Sequence, residues 1–277
     1  MAATLSRSRE RGRQAEGDAV LLARARVRGR VVHGIVEDGA LHLIRGGLFG
    51  RRERSGEVVP LEEARLLAPT RPTKVLAIGL NYRSHLDSGA AQSAGARPAP
   101  AQPEPFIKTP SSVIGPGEAI VLPSGAGRVD EEGEIVAVIG RRARNIPEER
   151  VDDHVLGYTC GNDVSARPWQ RGDLQWWRAK SADTFTAVGP WIATDLDPEA
   201  IPLVVRLNGE EIQKATTADL IHSIRRCIAH ISSAMTLERG DLIFTGTPGE
   251  THQLADGDIV SVEVGGVGVL RNPVVEG

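Results

Sequence analysis

Glu132 and Glu134 stand two residues apart at the head of the apolar run IVAVIG. In an extended strand that spacing puts both side chains on one face. Two carboxylates so placed repel each other, and a hard divalent cation that takes their oxygens offsets the repulsion. Taken alone, the stretch Asp130, Glu131, Glu132 and Glu134 reads more readily as a solvated strand end. Asp163, in GYTCGNDVSAR, follows another apolar run where a strand passes into a loop, a frequent location for site residues. By itself it suits a turn former bonding its own backbone; only pairing with the two glutamates makes it a metal ligand.

His85, in IGLNYRSHLDSG, lies just past a strand that ends at Gly79. A base there could be covered by a closing segment, although an exposed loop histidine is the commoner case. His222 and His230 are eight apart on one expected helix and His33, His42 and His154 are isolated, which disfavours zinc. Lys180, in WWRAKSADTFTAVGP, sits among aromatic and small residues and reads either as a partly desolvated cation or as an ordinary surface lysine. GxSxG, GxxxxGK[ST] and GxGxxG patterns are absent, so serine-hydrolase and nucleotide-loop readings fall. Glu132 and Glu134, on one face, cannot flank a sugar from opposite sides as glycosidase carboxylates do.

The elements that must position these residues come from 277 residues, with 33 basic and 36 acidic side chains and a net charge of −3. Such a balance lacks the positive footprint of nucleic-acid binding, and no run approaches the roughly 18 apolar residues of a membrane span. The two cysteines, Cys160 and Cys227, are far apart, so reduced thiols and a cytoplasmic location are expected. Arg7, Arg9, Arg11 and Arg13 precede no apolar run; residues 1–18 read as a disordered tail, less readily as a transit peptide, and not as a secretory signal. Residues 19–70 read as a small β meander, with a boundary near 71 and a catalytic domain over 71–277. The Ala- and Pro-rich stretch 88–105 reads as a lid or insertion. Strand-like runs follow, interrupted by one helix in DLIHSIRRCIAHISSAM, with Thr216 and Asp219 in capping-box relation at its start. Many strands, few helices and no βαβ alternation give an α+β, β-rich fold class.

The segments IGLNYRSH, FIKTPSSVIGPG, VDEEGEIVAVIG, GYTCGNDVSAR, AKSADTFTAVGPWI, LNGEEI, MTLERGDLIFTGTP and LRNPVV occur in the order of the fumarylacetoacetate hydrolase (FAH) family, which the chain resembles over about residues 72–275. The resemblance implies a mixed β-sandwich roll around a divalent metal, Mg²⁺ by expectation with Mn²⁺ or Ca²⁺ as alternatives, in a homodimer or larger even oligomer. It implies Glu132, Glu134 and Asp163 as metal ligands, Arg167, Gln170 and Thr247 as substrate contacts, Lys180 as the cation beside the metal, and His85 as the group that activates water. The implied substrate is a 2-oxo acid or β-dicarbonyl. The reaction expected first is C–C hydrolysis through an enolate; decarboxylation, enol–keto isomerisation or hydration follows, and a non-catalytic scaffold comes last. Three departures stand out. Ser88 occupies the place where acylpyruvate-cleaving members commonly carry a Glu, Pro168 replaces the Asp of SARD, and Gly249-Glu250-Thr251-His252 replaces a Gly-rich stretch and is expected to reshape the substrate pocket.

Overall fold

Alternation along the N-terminal segment produces the expected meander. The strands Leu21–Val27, Arg30–Glu37, Ala40–Arg45 and Glu53–Pro60 pair antiparallel in chain order. The computed structural model describes residues 19–88 and 98–277; the expected tail over 1–18 and the middle of the expected lid lie outside the described residues. The meander is not isolated, because Leu21 and Leu22 pair with Ala193 and Ile192 of the strand Thr186–Ala193. One twelve-stranded sheet results. From Thr186–Ala193 it continues through Val155–Asp163, Gly133–Ile139, Leu242–Phe244 and Val75–Gly79 to Glu104–Lys108. A five-stranded sheet, ordered Glu210–Thr216, Pro202–Leu207, Ile259–Val264, Gly268–Glu276 and Ile120–Leu122, forms a second layer.

Period-two geometry explains how the layers share a core. Ile135, Ala137 and Ile139 face the second sheet and pack with Leu203, Val205, Val262 and Leu270. Val136 and Val138 face the other way and pack with Val75, Ala77, Val188 and Phe244. A central strand buried on both faces reads as a continuous apolar run, as IVAVI does. The β-rich expectation with few helices matches this architecture, and no helix among the described residues is long and apolar enough to cross a membrane.

The one long helix differs from expectation at its start. The Thr216–Asp219 capping box is present, but it closes the 3-10 turn Thr217–Asp219. Leu220 then bridges to Tyr82, and the α-helix runs only over Ile224–Ala234, its first turn capped by Ser223 accepting from the Arg226 N–H. The bridge takes the chain out of helical geometry, so the apolar period seen from Leu220 onward spans two elements. Ile224, Cys227, Ile228 and Ile231 form the buried stripe and join the core of the second layer.

Candidate metal centre and its histidine

Strand register assembles the acidic site. Gly133 lies opposite Asn162 and Glu134 opposite Gly161, while the Asp163 N–H donates to the Glu132 carbonyl at 2.8 Å. Residues opposite one another in an antiparallel pair share a face, so Glu132, Glu134 and Asp163 project together. One carboxylate oxygen from each lies within 4.8 Å of the others. Gly161 is needed opposite Glu134, since a Cβ there would meet Val136 at 2.4 Å and Phe244 at 2.5 Å. The solvated strand end that the acidic stretch suggested on its own is not found: Asp130, Glu131, Glu132 and Glu134 are all buried.

Buried carboxylates need countercharge, and three buried cations supply it, with the half-exposed Arg128 also pairing with Asp130 at 2.7 Å. Lys180, also buried, donates from Nζ to Glu132 Oε2 at 2.5 Å and to Asp163 Oδ2 at 2.7 Å. Lys108 Nζ reaches Asp163 Oδ1 at 2.5 Å and also donates to the Lys180 carbonyl. Arg167 pairs through Nη1 with Glu132 Oε1 at 2.8 Å and through Nε with Asp130 Oδ2 at 2.9 Å. Burial works against ionisation of Glu132, but Lys180, Arg167 and His85 hold its carboxyl well below the usual range. Glu134 goes the other way. Burial first, then the charges of Asp163 and Glu132, push it well above the usual range, although the Gly246 N–H donates to Oε2 at 2.6 Å.

A divalent cation fits this donor set. Among the described residues the cluster offers three carboxylates and no imidazole or thiolate, the all-oxygen chemistry of Mg²⁺, Mn²⁺ or Ca²⁺. Glu134 is the member left short of countercharge, which a bound cation would supply.

His85 sits in the short helix Arg83–Leu86 and is buried, so the exposed-loop alternative does not apply. Its Nδ1 bonds the Gly249 carbonyl at 2.7 Å. The Gly249 N–H in turn donates to Ser84 Oγ at 3.1 Å, clasping the loop to the helix from both sides of one residue. Ser88 Oγ donates to the His85 backbone carbonyl at 2.6 Å, closing the turn. The replacement loop is anchored inward as well. Thr251 Oγ1 donates to Asp130 Oδ2 and accepts from Arg167 Nη2, and the His252 N–H donates to buried Glu131.

Arg167 and Gln170 meet directly, Nη1 to Oε1 at 2.9 Å, one turn apart on the helix Arg167–Gly172. Pro168 occupies the first turn of that helix, where the missing N–H costs nothing; that accounts for its tolerance in place of the acid. Thr247 is buried against Gln213. Three residues of this network carry no role in the sequence reading: Lys108, Asp130 and Gln213. A lysine inside the apolar run FIK was the available signal for Lys108, since lysine is almost never fully buried unless paired. Gln213 carried none, because Glu210–Thr216 (EEIQKAT) lacks apolar alternation.

Comparison with known proteins fits this geometry. Residues 74–275 match the family described as fumarylacetoacetate (FAA) hydrolase C-terminal, and residues 21–69 match Rv2993c-like, N-terminal. The solved structure of 5-carboxymethyl-2-hydroxymuconate delta-isomerase from Mycobacterium smegmatis is 42% identical, with TM-score 0.85, over 93% of this chain and 100% of that one. The mitochondrial oxaloacetate tautomerase FAHD2A of Homo sapiens is 37% identical over 231 residues, 79% of this chain and 72% of the relative. Maleylpyruvate hydrolase from Sphingobium sp. SYK-6, solved with manganese(II) and pyruvate, is 28% identical with TM-score 0.75 over 93% of this chain and 99% of that one. The two solved structures share this fold, and with the family model covering residues 74–275 the chain belongs to the fumarylacetoacetate hydrolase family.

Proposed function

We propose that the protein is a divalent-metal-dependent enol–keto tautomerase or isomerase of a small 2-oxo acid or β-dicarbonyl. Glu132, Glu134 and Asp163 are the ligands, Mg²⁺ or Mn²⁺ the ion, and a homodimer the assembly. The bound cation would act as a Lewis acid on the substrate oxygens. Arg167 and Gln170 receive the substrate carboxylate, Lys180 stabilises negative charge developing on the oxygen, Thr247 contacts the substrate, and His85 moves the proton at the carbon beside the carbonyl.

The observation that carries this reading is the partner of His85. A carbonyl only accepts, so a bond from Nδ1 to Gly249 O requires the proton on Nδ1 and leaves the Nε2 lone pair as the base. A base at Nε2 moves a proton between the carbon and oxygen of a polarised 2-oxo acid with no attacking water needed, which is the step an enol–keto exchange requires. C–C hydrolysis, expected first from the sequence, becomes the second reading, supported by the likeness to maleylpyruvate hydrolase.

The test follows the decay of enol oxaloacetate by ultraviolet absorbance with Mg²⁺ or Mn²⁺, alongside NMR product analysis of acetylpyruvate. The expected result is enol–keto exchange above the metal-only blank, abolished by EDTA, with acetylpyruvate intact. Acetate plus pyruvate from acetylpyruvate puts hydrolysis first, and inactivity on both substrates overturns both readings.

A further inference from the structure

Gln213 is buried on the strand Glu210–Thr216, in the second sheet and far in sequence from every other site residue. Its amide nitrogen has two hydrogens and three acceptors in reach, with Pro248 O at 2.6 Å and Glu250 O at 2.9 Å nearer than Thr247 Oγ1 at 3.2 Å. Its Oε1 lies 3.4 Å from Thr247 Oγ1, which donates to it. Gln213 therefore holds the 248–249 and 250–251 peptides, which flank the peptide that carries the Gly249 carbonyl. Gly249 is in the left-handed region, at φ +60°, where its carbonyl direction depends on how the flanking peptides are held.

That carbonyl is the acceptor for His85 Nδ1. We infer that Gln213 is a positioning residue that sets the tautomer of His85, acting from the second sheet through the carbonyls at 248 and 250 onto Gly249 O. The inference deepens the proposed function, since it rests on His85 being the base. With both carbonyls held, Gly249 O faces Nδ1, the proton stays on Nδ1, and Nε2 keeps its lone pair toward the reacting carbon. With the amide lost, the loop relaxes and the ring samples both tautomers, only one of which has a base at Nε2. The sequence departure at 249–252 thereby acquires a specific consequence: the loop supplies a backbone acceptor to the histidine, and a strand of the other sheet holds that acceptor in place.

The test reads the tautomer directly, without substrate or metal. Two-bond ¹H–¹⁵N spectra of the full-length ¹⁵N-labelled protein at pH 8 assign His85 by its disappearance in His85→Gln. Wild type should show the Nδ1–H form. Gln213→Glu keeps the shape but presents a carboxylate to two carbonyls, and Gln213→Ala removes the amide without adding charge. Both should give averaged nitrogen shifts of mixed tautomers, with kcat down about tenfold and KM little changed. If Gln213→Glu does not fold, Gln213→Ala carries the same readout. A wild-type Nε2–H form, or folded variants that keep the Nδ1–H pattern, overturns the inference. Because the spectra need no turnover, that failure is distinguishable from failure of the tautomerase reading.

Discussion

Lys108 Nζ lies 2.5 Å from Asp163 Oδ1, with the lysine fully buried and the aspartate nearly so. The lysine comes from the edge strand Glu104–Lys108 and the acid from the end of Val155–Asp163, four strands away in the same sheet. Burial lowers the pKa of Lys108 and the charge of Asp163 opposes that shift, so each ion depends on the other.

Lys108→Met should therefore destabilise the protein, but by less than the about 3–5 kcal/mol of a buried ion left wholly unpaired, because Lys180 still donates to Asp163. Urea unfolding of the metal-free protein measures it. A change under 1 kcal/mol would mean that Lys180 alone satisfies Asp163.

Glu134→Gln separates stability from metal binding. Burial and the neighbouring carboxylates already favour the neutral form of Glu134, so an isosteric amide should leave the metal-free melting temperature unchanged or higher. Mn²⁺ affinity, followed by the electron paramagnetic resonance of free Mn²⁺, should fall at least tenfold, since even outer-shell changes cost about 10–100-fold.

His85→Gln should lower turnover by roughly 10²- to 10⁴-fold, the usual contribution of a general base, and leave Mn²⁺ affinity within about twofold because the ring is not among the clustered carboxylates. Steady-state kinetics and metal titration on one preparation check both parts. Retained turnover would remove His85 from the mechanism.

Cys160 and Cys227 should resist thiol reagents in the native state. Burial pushes each thiol up to about 12 from an ordinary 9.0, so at pH 8 the thiolate fraction is on the order of 10⁻⁴. The native state binds these protons more tightly than the unfolded chain does. Stability from them is present below about pH 9 and is lost as pH rises toward 12. Urea midpoints across pH 8 to 11 should fall, and Cys160→Ala should flatten the slope.

Much of the site is readable along the chain because it depends on short-range geometry. The i, i+2 spacing of Glu132 and Glu134 forces a common face in any strand, and the apolar run after them forces a buried strand. The capping box at Thr216 was equally readable, but what it caps was not, because the Leu220–Tyr82 bridge that ends the turn joins residues 138 positions apart.

Residue types and local period by themselves determined a β-rich fold, a pair of cofacial glutamates and a histidine just beyond a strand. Only the tertiary structure decided that Asp163 joins the glutamates, through the register with Gly133–Ile139. It alone decided that Lys180 is an interior counterion rather than a surface lysine, that Lys108 joins it at Asp163, and that Gln213 reaches across to the loop carrying Gly249. The physical reason is that register, burial and buried ion pairing are relations between segments distant in sequence. A side chain's charge cost and its partners exist only once those segments exclude water together.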